Sequence, residues 1–146
     1  MLKTDDQSVF YFIDREFRGG GYELHRIDGP AVVLSNGTEK WYKDGELHRD
    51  NGPAIMHKTR IRKDATLSQQ VHECGEEWTE WYQYGKLHRD NGPARSRSDV
   101  FCTQHEWWQY GEMHRVDGPA CIIQHRKIGK DKTTIITETL KKYYIS

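Results

Sequence analysis

Four His-Arg pairs are the residues of this chain whose types and spacing could do chemistry: His25-Arg26, His48-Arg49, His88-Arg89 and His114-Arg115. Trp and Tyr residues are interleaved with them. Imidazoles and guanidiniums on one face could hold phosphate while the aromatic rings stack bases, the combination used by single-strand nucleic-acid binders. Charge argues the other way. Lys+Arg and Asp+Glu both number 22, so the formal net charge is zero, and counterion release needs a basic face. His48-Arg49-Asp50 and His88-Arg89-Asp90 share three letters with the kinase catalytic loop. No Gly-rich phosphate loop, strand Lys or Asp-Phe-Gly accompanies them. A catalytic site is needed once, whereas a scaffold residue is needed in every repeat. The four arginines are therefore expected to stack on aromatics or to clasp turn carbonyls of the neighbouring unit. A nucleotide or single-strand nucleic-acid ladder is the alternative.

Metal and nucleophile chemistry have thinner support. His72-x-Cys74 and Cys102-x-x-His105 together offer two thiolates and two imidazoles, a donor set that suits tetrahedral Zn²⁺. His-x-Cys is an uncommon spacing for structural zinc and no Cys-x-x-Cys is present, so neither a metal nor another cofactor is expected. Cys74, Cys102 and Cys121 lie in no nucleophile signature, and no Gly-x-Ser-x-Gly, Walker loop or His-Glu-x-x-His occurs. The expectation is a non-enzyme. An odd number of scattered cysteines fits a reducing cytosol better than a disulfide scaffold.

These residues are positioned by an internal repeat. Leu24-His25-Arg26-Ile27-Asp28-Gly29-Pro30-Ala31 recurs from Leu47 to Ala54, from Leu87 to Ala94 and from Met113 to Ala120, and holds all four prolines of the protein. The intervals between successive histidines are 23, 40 and 26 residues. The repeats lie near residues 16–31, 39–54, 79–94 and 105–120, with an insertion at 55–78 and a C-terminal hairpin at 121–146, all in one domain. An aromatic phrase precedes the last three copies: Trp41-Tyr42-Lys43-Asp44-Gly45, Trp81-Tyr82-Gln83-Tyr84-Gly85 and Trp107-Trp108-Gln109-Tyr110-Gly111. The first copy reads as a degenerate cap with Phe17 as its aromatic.

Each copy reads as β: a strand over 31–34, an Asn36-Gly37 turn, a strand over 39–43, an Asp44-Gly45 turn and a return over 46–49. No window carries a sustained 3.6-residue apolar period, and the tail 133–144 favours strand. Leu, Ile, Val and Phe make up only 27 of the 146 residues, so aromatics must carry much of the core. Tyr disfavours positive φ, and Tyr84 and Tyr110 precede turn glycines. A type I turn with a G1 bulge is therefore expected, setting Trp41 opposite Leu47, Trp81 opposite Leu87 and Trp107 opposite Met113. A two-residue turn would instead set each Trp opposite His and flip every face.

The phrase W-Y-x-x-G-x-L-H-R-x-x-G-P-A resembles a variant of the MORN-type β-hairpin repeat, over about residues 16–120. Similar short proteins occur among bacteriophage and giant-virus proteins, with looser relatives among bacterial proteins labelled antitoxins. The resemblance implies an all-β, open or curled antiparallel meander of about four hairpin repeats that serves as a binding platform. It also implies a phage or bacterial source, a protein partner such as a host defence or metabolic enzyme to be blocked or sequestered, and a cytoplasmic setting. Neither a membrane-length apolar run nor a signal-like N-terminus appears.

Repeated residues build the sheet, which leaves the unrepeated stretches 55–78, 95–105 and 121–146 free to specialise. The basic run Lys58, Arg60, Arg62 and Lys63 should face the acidic run Glu73, Glu76, Glu77 and Glu80 across a long hairpin. Arg60 and Arg62 share a face by strand parity, as do Arg95 and Arg97. Trp78 is a tryptophan outside the repeat phrase. The candidate partner-binding residues are accordingly Arg60, Arg62, Lys63, Trp78, Arg95 and Arg97. An open meander has two edges through which a homo-oligomer could form, guarded by Lys58–Lys63 and Lys141–Lys142.

Overall fold

A two-residue turn ends each aromatic phrase of the last three units, and it sets the register of the hairpin it closes. The structure is a computed structural model that describes residues 2–3, 8–14, 22–58, 76–99, 101–128 and 135–143. Its first unit comprises β1 (Leu2–Lys3), β2 (Val9–Phe10) and a tip hairpin of β3 (Phe12–Asp14) and β4 (Tyr22–Leu24). The second comprises β5 (Val32–Val33), β6 (Glu39–Lys40) and the tip hairpin β7 (Tyr42–Lys43) with β8 (Glu46–Leu47). The third comprises β9 (Ile55–Lys58), β10 (Glu77–Glu80) and the tip hairpin β11 (Tyr82–Gln83) with β12 (Lys86–Leu87). The fourth comprises β13 (Arg95–Ser98), β14 (Cys102–Glu106) and the tip hairpin β15 (Trp108–Gln109) with β16 (Glu112–Met113). A longer pair, β17 (Cys121–Ile128) and β18 (Ile135–Lys142), completes the chain.

Ten of these strands form one antiparallel sheet in the order β1-β2-β5-β6-β9-β10-β13-β14-β17-β18. The protein is all-β and the sheet is an open meander. Alternate connections are the tip hairpins, so all four tips lie at one end of the sheet. The turn over 34–38, between β5 and β6, lies at the other.

One aromatic residue joins each sheet strand to its tip. Trp41 donates its amide to Ala54 in the sheet (2.7 Å) and accepts from the His48 amide in the hairpin (3.1 Å). Trp81 and Trp107 repeat both bonds with Ala94 and His88, and with Ala120 and His114. In the first unit Tyr11 makes them, with Ala31 and His25. The first-unit aromatic is therefore Tyr11; Phe17 falls outside the described residues.

The expected register is overturned. Tyr42 pairs with Leu47, Tyr82 with Leu87 and Trp108 with Met113, so each Trp faces His. Both turn residues take positive φ: Asp44 and Gly45 at 54° and 82°, Tyr84 and Gly85 at 48° and 73°, Tyr110 and Gly111 at 51° and 90°. These are type I′ turns, whose twist matches the flanking strands. The strain of a left-handed Tyr is offset by the preceding unit. The Tyr84 amide donates to His48 Nδ1 (3.2 Å) and its ring lies on that imidazole at 4.6 Å. Tyr110 does the same on His88, at 3.3 Å and 4.3 Å. Further bonds from Gly45, Gly85 and Gly111 to the carbonyls of Leu24, Leu47 and Leu87 lock tip onto tip.

The arginines close each unit on itself. Arg26 lies over Tyr11 (4.1 Å), Arg49 over Trp41 (4.0 Å), Arg89 over Trp81 (4.0 Å) and Arg115 over Trp107 (3.9 Å). Each also donates to the proline carbonyl four residues on, at 3.1–3.3 Å. Stacking and clasping thus both occur, within the unit rather than between neighbours. The glycine before each proline packs on the second face of the guanidinium, and a Cβ on Gly52 would sit 2.8 Å from Arg49 Cζ. The alanine after each proline is buried, at 0–1 % exposure for Ala31, Ala54, Ala94 and Ala120. Among the described residues no large side chain is completely buried, so these flat stacks stand in for a bulky apolar core.

Lys58 lies on β9, which pairs on both sides, with β6 and β10. It therefore guards no edge, unlike Lys141 and Lys142 on β18.

Gly52 has no left-handed φ, so Gly52→Ala tests the stack by sterics alone. The substitution should cost about 1–3 kcal/mol, as overpacking does. In an Arg49→Ala background the same substitution should cost almost nothing. Chemical denaturation of the four proteins of this cycle measures the coupling.

Candidate functional site

Direct cross-strand partners share a face, so the register carries rows of side chains across the sheet. One row reads Ile55, Glu80, Arg95, Glu106 and Cys121. Two residues along, on the same face, come His57, Trp78, Arg97, Gln104 and Ile123. These rows enclose a groove of about 370 Å³, lined by Trp78, Arg95, Arg97, Gln104 and the carboxylates of Glu76, Glu80 and Glu106. Three of the residues singled out by sequence, Trp78, Arg95 and Arg97, therefore meet in one place. Arg60, Arg62 and Lys63 fall outside the described residues, as do Glu73, His72 and Cys74. Lys58 does face Glu77 across β9 and β10, at 3.5 Å.

Trp78 is half-buried and lies flat on His57, with centroids 3.9 Å apart and planes 14° from parallel. His57 Nδ1 is 2.8 Å from the Thr38 hydroxyl, which fixes the imidazole as a floor. Arg97 stands opposite Trp78, pairs with Glu76 and is 59 % exposed. Arg95 is held differently. Its Nε donates to Glu80 (3.0 Å) and its Nη1 to Glu106 (3.3 Å). Glu106 also accepts from Trp108 Nε1 (2.9 Å) and Gln104 Nε2 (2.5 Å), and Glu80 accepts from the Tyr82 hydroxyl (2.9 Å). Burial works to lower the Arg95 pKa, and Glu80 and Glu106 outweigh it, holding the guanidinium above its ordinary value. Burial, followed by the Glu80 carboxylate, pushes the Tyr82 phenol up to about 12. Arg95 is thus the ion-paired knot of the groove, and Arg97 is its more accessible cation.

Gln104, Glu106 and the His57 beneath Trp78 are missed by sequence reading, which names Glu76 and Glu80 only as part of an acidic run. Parity alone put Arg95 and Arg97 on one face. Placing Trp78, Glu80 and Glu106 beside them requires the cross-strand register.

The His-Arg ladder uses its polar atoms internally. His48 Nδ1 accepts from the Tyr84 amide while Nε2 donates to Asp50 (2.8 Å). His88 likewise accepts from the Tyr110 amide and faces Asp90 (3.3 Å). His25 Nδ1 accepts from the Asp44 amide (3.0 Å). This network assigns the neutral Nε2–H tautomer to His48 and His88. The His48 hydrogen bond holds the Asp50 carboxyl below its usual range. A cavity of about 300 Å³ between the second and third units is lined by His48, Arg49, Trp81, His88 and Arg89, and also by Asp50 and Asp90. Two carboxylates at its wall oppose a phosphate. His114 ends the series, with no later tip among the described residues to bond.

Cys102 and His105 lie three residues apart on β14, so strand alternation sends them to opposite faces. Cys102 faces the groove side beside His125. His105 bonds the Ser96 hydroxyl at 3.0 Å, and burial lowers its pKa. This pair cannot supply two ligands to one ion. Among the described residues no group of three or more His, Cys, Asp or Glu could hold a metal.

Tyr82 gives the site an alkaline signature. Its folded pKa is raised above the free value, so its contribution to stability is complete below pH 10 and is lost as pH rises from about 10 to about 12. In an ultraviolet phenolate titration Tyr82→Phe should remove a tyrosine that titrates near pH 12, and stability should then fall less steeply across that range.

No family model, curated protein or solved structure matches the chain.

Proposed function

We propose that this chain is a non-enzymatic interaction protein that grips a protein partner through the groove face of its sheet and blocks or sequesters it. The observation that carries this reading is the convergence of Trp78, Arg95 and Arg97 in one groove on an open sheet face. A half-buried Trp over a fixed imidazole supplies flat apolar area, and an exposed Arg beside it supplies directional donors. Trp and Arg are the residue types that dominate interface hot spots. Arg60, Arg62 and Lys63, which fall outside the described residues, belong to the chain between β9 and β10 and remain partner-binding candidates on the sequence alone. Similarity of the repeat phrase to phage, giant-virus and antitoxin-labelled proteins favours a cytoplasmic partner such as a host defence or metabolic enzyme. The nucleotide-ladder reading has less support, because the imidazoles of His25, His48 and His88 and all four guanidiniums already bond within the fold and carboxylates stand among them.

Native mass spectrometry of the tagged chain drawn from cells of its source tests the proposal. A stoichiometric added mass of protein size is expected. Arg97→Glu should weaken that complex at least tenfold, and Trp78→Ala should do the same, while near-ultraviolet circular dichroism keeps the wild-type signature. A complex indifferent to both substitutions would move the contact to the opposite face. A small added mass that is lost steeply with salt would favour the nucleotide reading.

A further inference from the structure

β18 is the outermost strand on one side of the sheet, with β17 as its only neighbour in the strand order. It is eight residues long, Ile135–Lys142, and every described side chain from Thr137 to Tyr143 is exposed. Leu140 and Tyr143 are among the exposed large apolar residues, at 55 % and 65 %. A long edge of this kind presents a row of unpaired backbone donors and acceptors. The opposite outer strand, β1, has two residues. Among the described residues the two edges therefore match poorly in length, which disfavours head-to-tail growth and favours a closed two-fold contact.

We infer that a second copy of this chain covers β18, by antiparallel pairing of β18 with β18 about a two-fold axis through Leu140. Three features select that register. A two-fold perpendicular to the sheet keeps each face, so it must pass through a residue rather than between two. Centring on Glu138 sets like charges directly opposite, which is destabilising, and centring on Thr139 sets Glu138 opposite Leu140 with no charge pair. Centring on Leu140 sets Leu140 against itself and Glu138 against Lys142, twice. On the other face Tyr143 then meets Thr137, an aromatic against a β-branched residue.

The interior of each copy supports the same register. Leu140 pairs across the sheet with Ile123, so the two-fold joins Ile123, Leu140, Leu140 and Ile123 into one apolar row. Glu138 already bonds Lys127 of its own copy at 2.9 Å. A carboxylate has acceptor sites for a second ammonium. Lys142 lies opposite Cys121, an uncharged neighbour. Lys142, which looks like an edge guard, thus becomes the specificity element of the contact.

Sedimentation equilibrium and multi-angle light scattering on the full chain test the inference. The wild type should be a dimer. Lys142→Glu sets two carboxylates opposite each other at both ends of the contact and should raise the dimer dissociation constant at least tenfold. Adding Glu138→Lys to it reverses both charges and should restore dimerisation, which a misfolded variant would not do. A wild type that stays monomeric up to about 100 µM, where a micromolar dissociation constant would fill the dimer, overturns the inference. So does a dimer insensitive to Lys142→Glu, or one that the double exchange fails to rescue.

Discussion

An arginine held flat between an aromatic ring and a glycine backbone is the interaction on which the rest of this fold depends. The chain has few aliphatic residues, and among the described residues the buried apolar ones are the four alanines with Val32, Trp41 and Cys121. A sheet so poor in bulky apolar side chains must cover its aromatic rings some other way. The guanidinium does this with both of its faces, one on the ring and one on the glycine, while its edge donates to the proline carbonyl. A lysine could not substitute, because an ammonium is a point charge with no plane to stack. Each stack is worth roughly 0.5–2 kcal/mol by the usual range of cation–π contacts, and it closes a unit without help from its neighbours.

Histidine supplies the complementary term, the link between units. The imidazoles of His48 and His88 each turn one nitrogen toward an aspartate of their own loop and the other toward the turn amide of the next tip. That second bond lets Tyr84 and Tyr110 occupy a left-handed conformation that their side chains disfavour. The corresponding residue of the second unit is Asp44, which visits that conformation more readily. Its amide donates to His25 without needing a ring to stack. Intrinsic closure by Arg and nearest-neighbour coupling by His are the two energies of a linear repeat protein. Here they fall on adjacent residues of one phrase, which explains why His and Arg recur together.

Much of this architecture is legible in the sequence, and the illegible parts share a cause. Recurrence of Gly-Pro-Ala and of the aromatic phrase announces the meander and marks the His-Arg pairs as scaffold. Register fails because the local rule, that Tyr avoids positive φ, is overridden by His48 and His88, which lie 36 and 22 residues away in sequence. Tyr11 fails for a similar reason. Its role rests on its bonds to Ala31 and His25 and on the Arg26 stack, and all three partners are remote. In the groove, Arg95 and Arg97 follow from parity within one strand. Trp78, Glu80 and Glu106 join them only through pairing across β10, β13 and β14.

The two arginines of that groove have the same residue type, the same strand and the same face, yet their surroundings give them different work. Arg95 sits between Glu80 and Glu106, with Glu106 itself 9 % exposed. Removing Arg95 would leave a largely buried carboxylate without its cation, a loss felt by the fold before any partner is met. Arg97 has one carboxylate neighbour in Glu76 and most of its surface in water, so exchanging that neighbour for a partner's acceptor costs little. Strand alternation brought the pair to one face, and position along the strand divided them. The residue nearer the repeated tip geometry serves the scaffold, and the residue nearer the variable turns is the more exposed of the two. Repetition at one end of the sheet and variation at the other thus meet within three consecutive residues, Arg95 to Arg97.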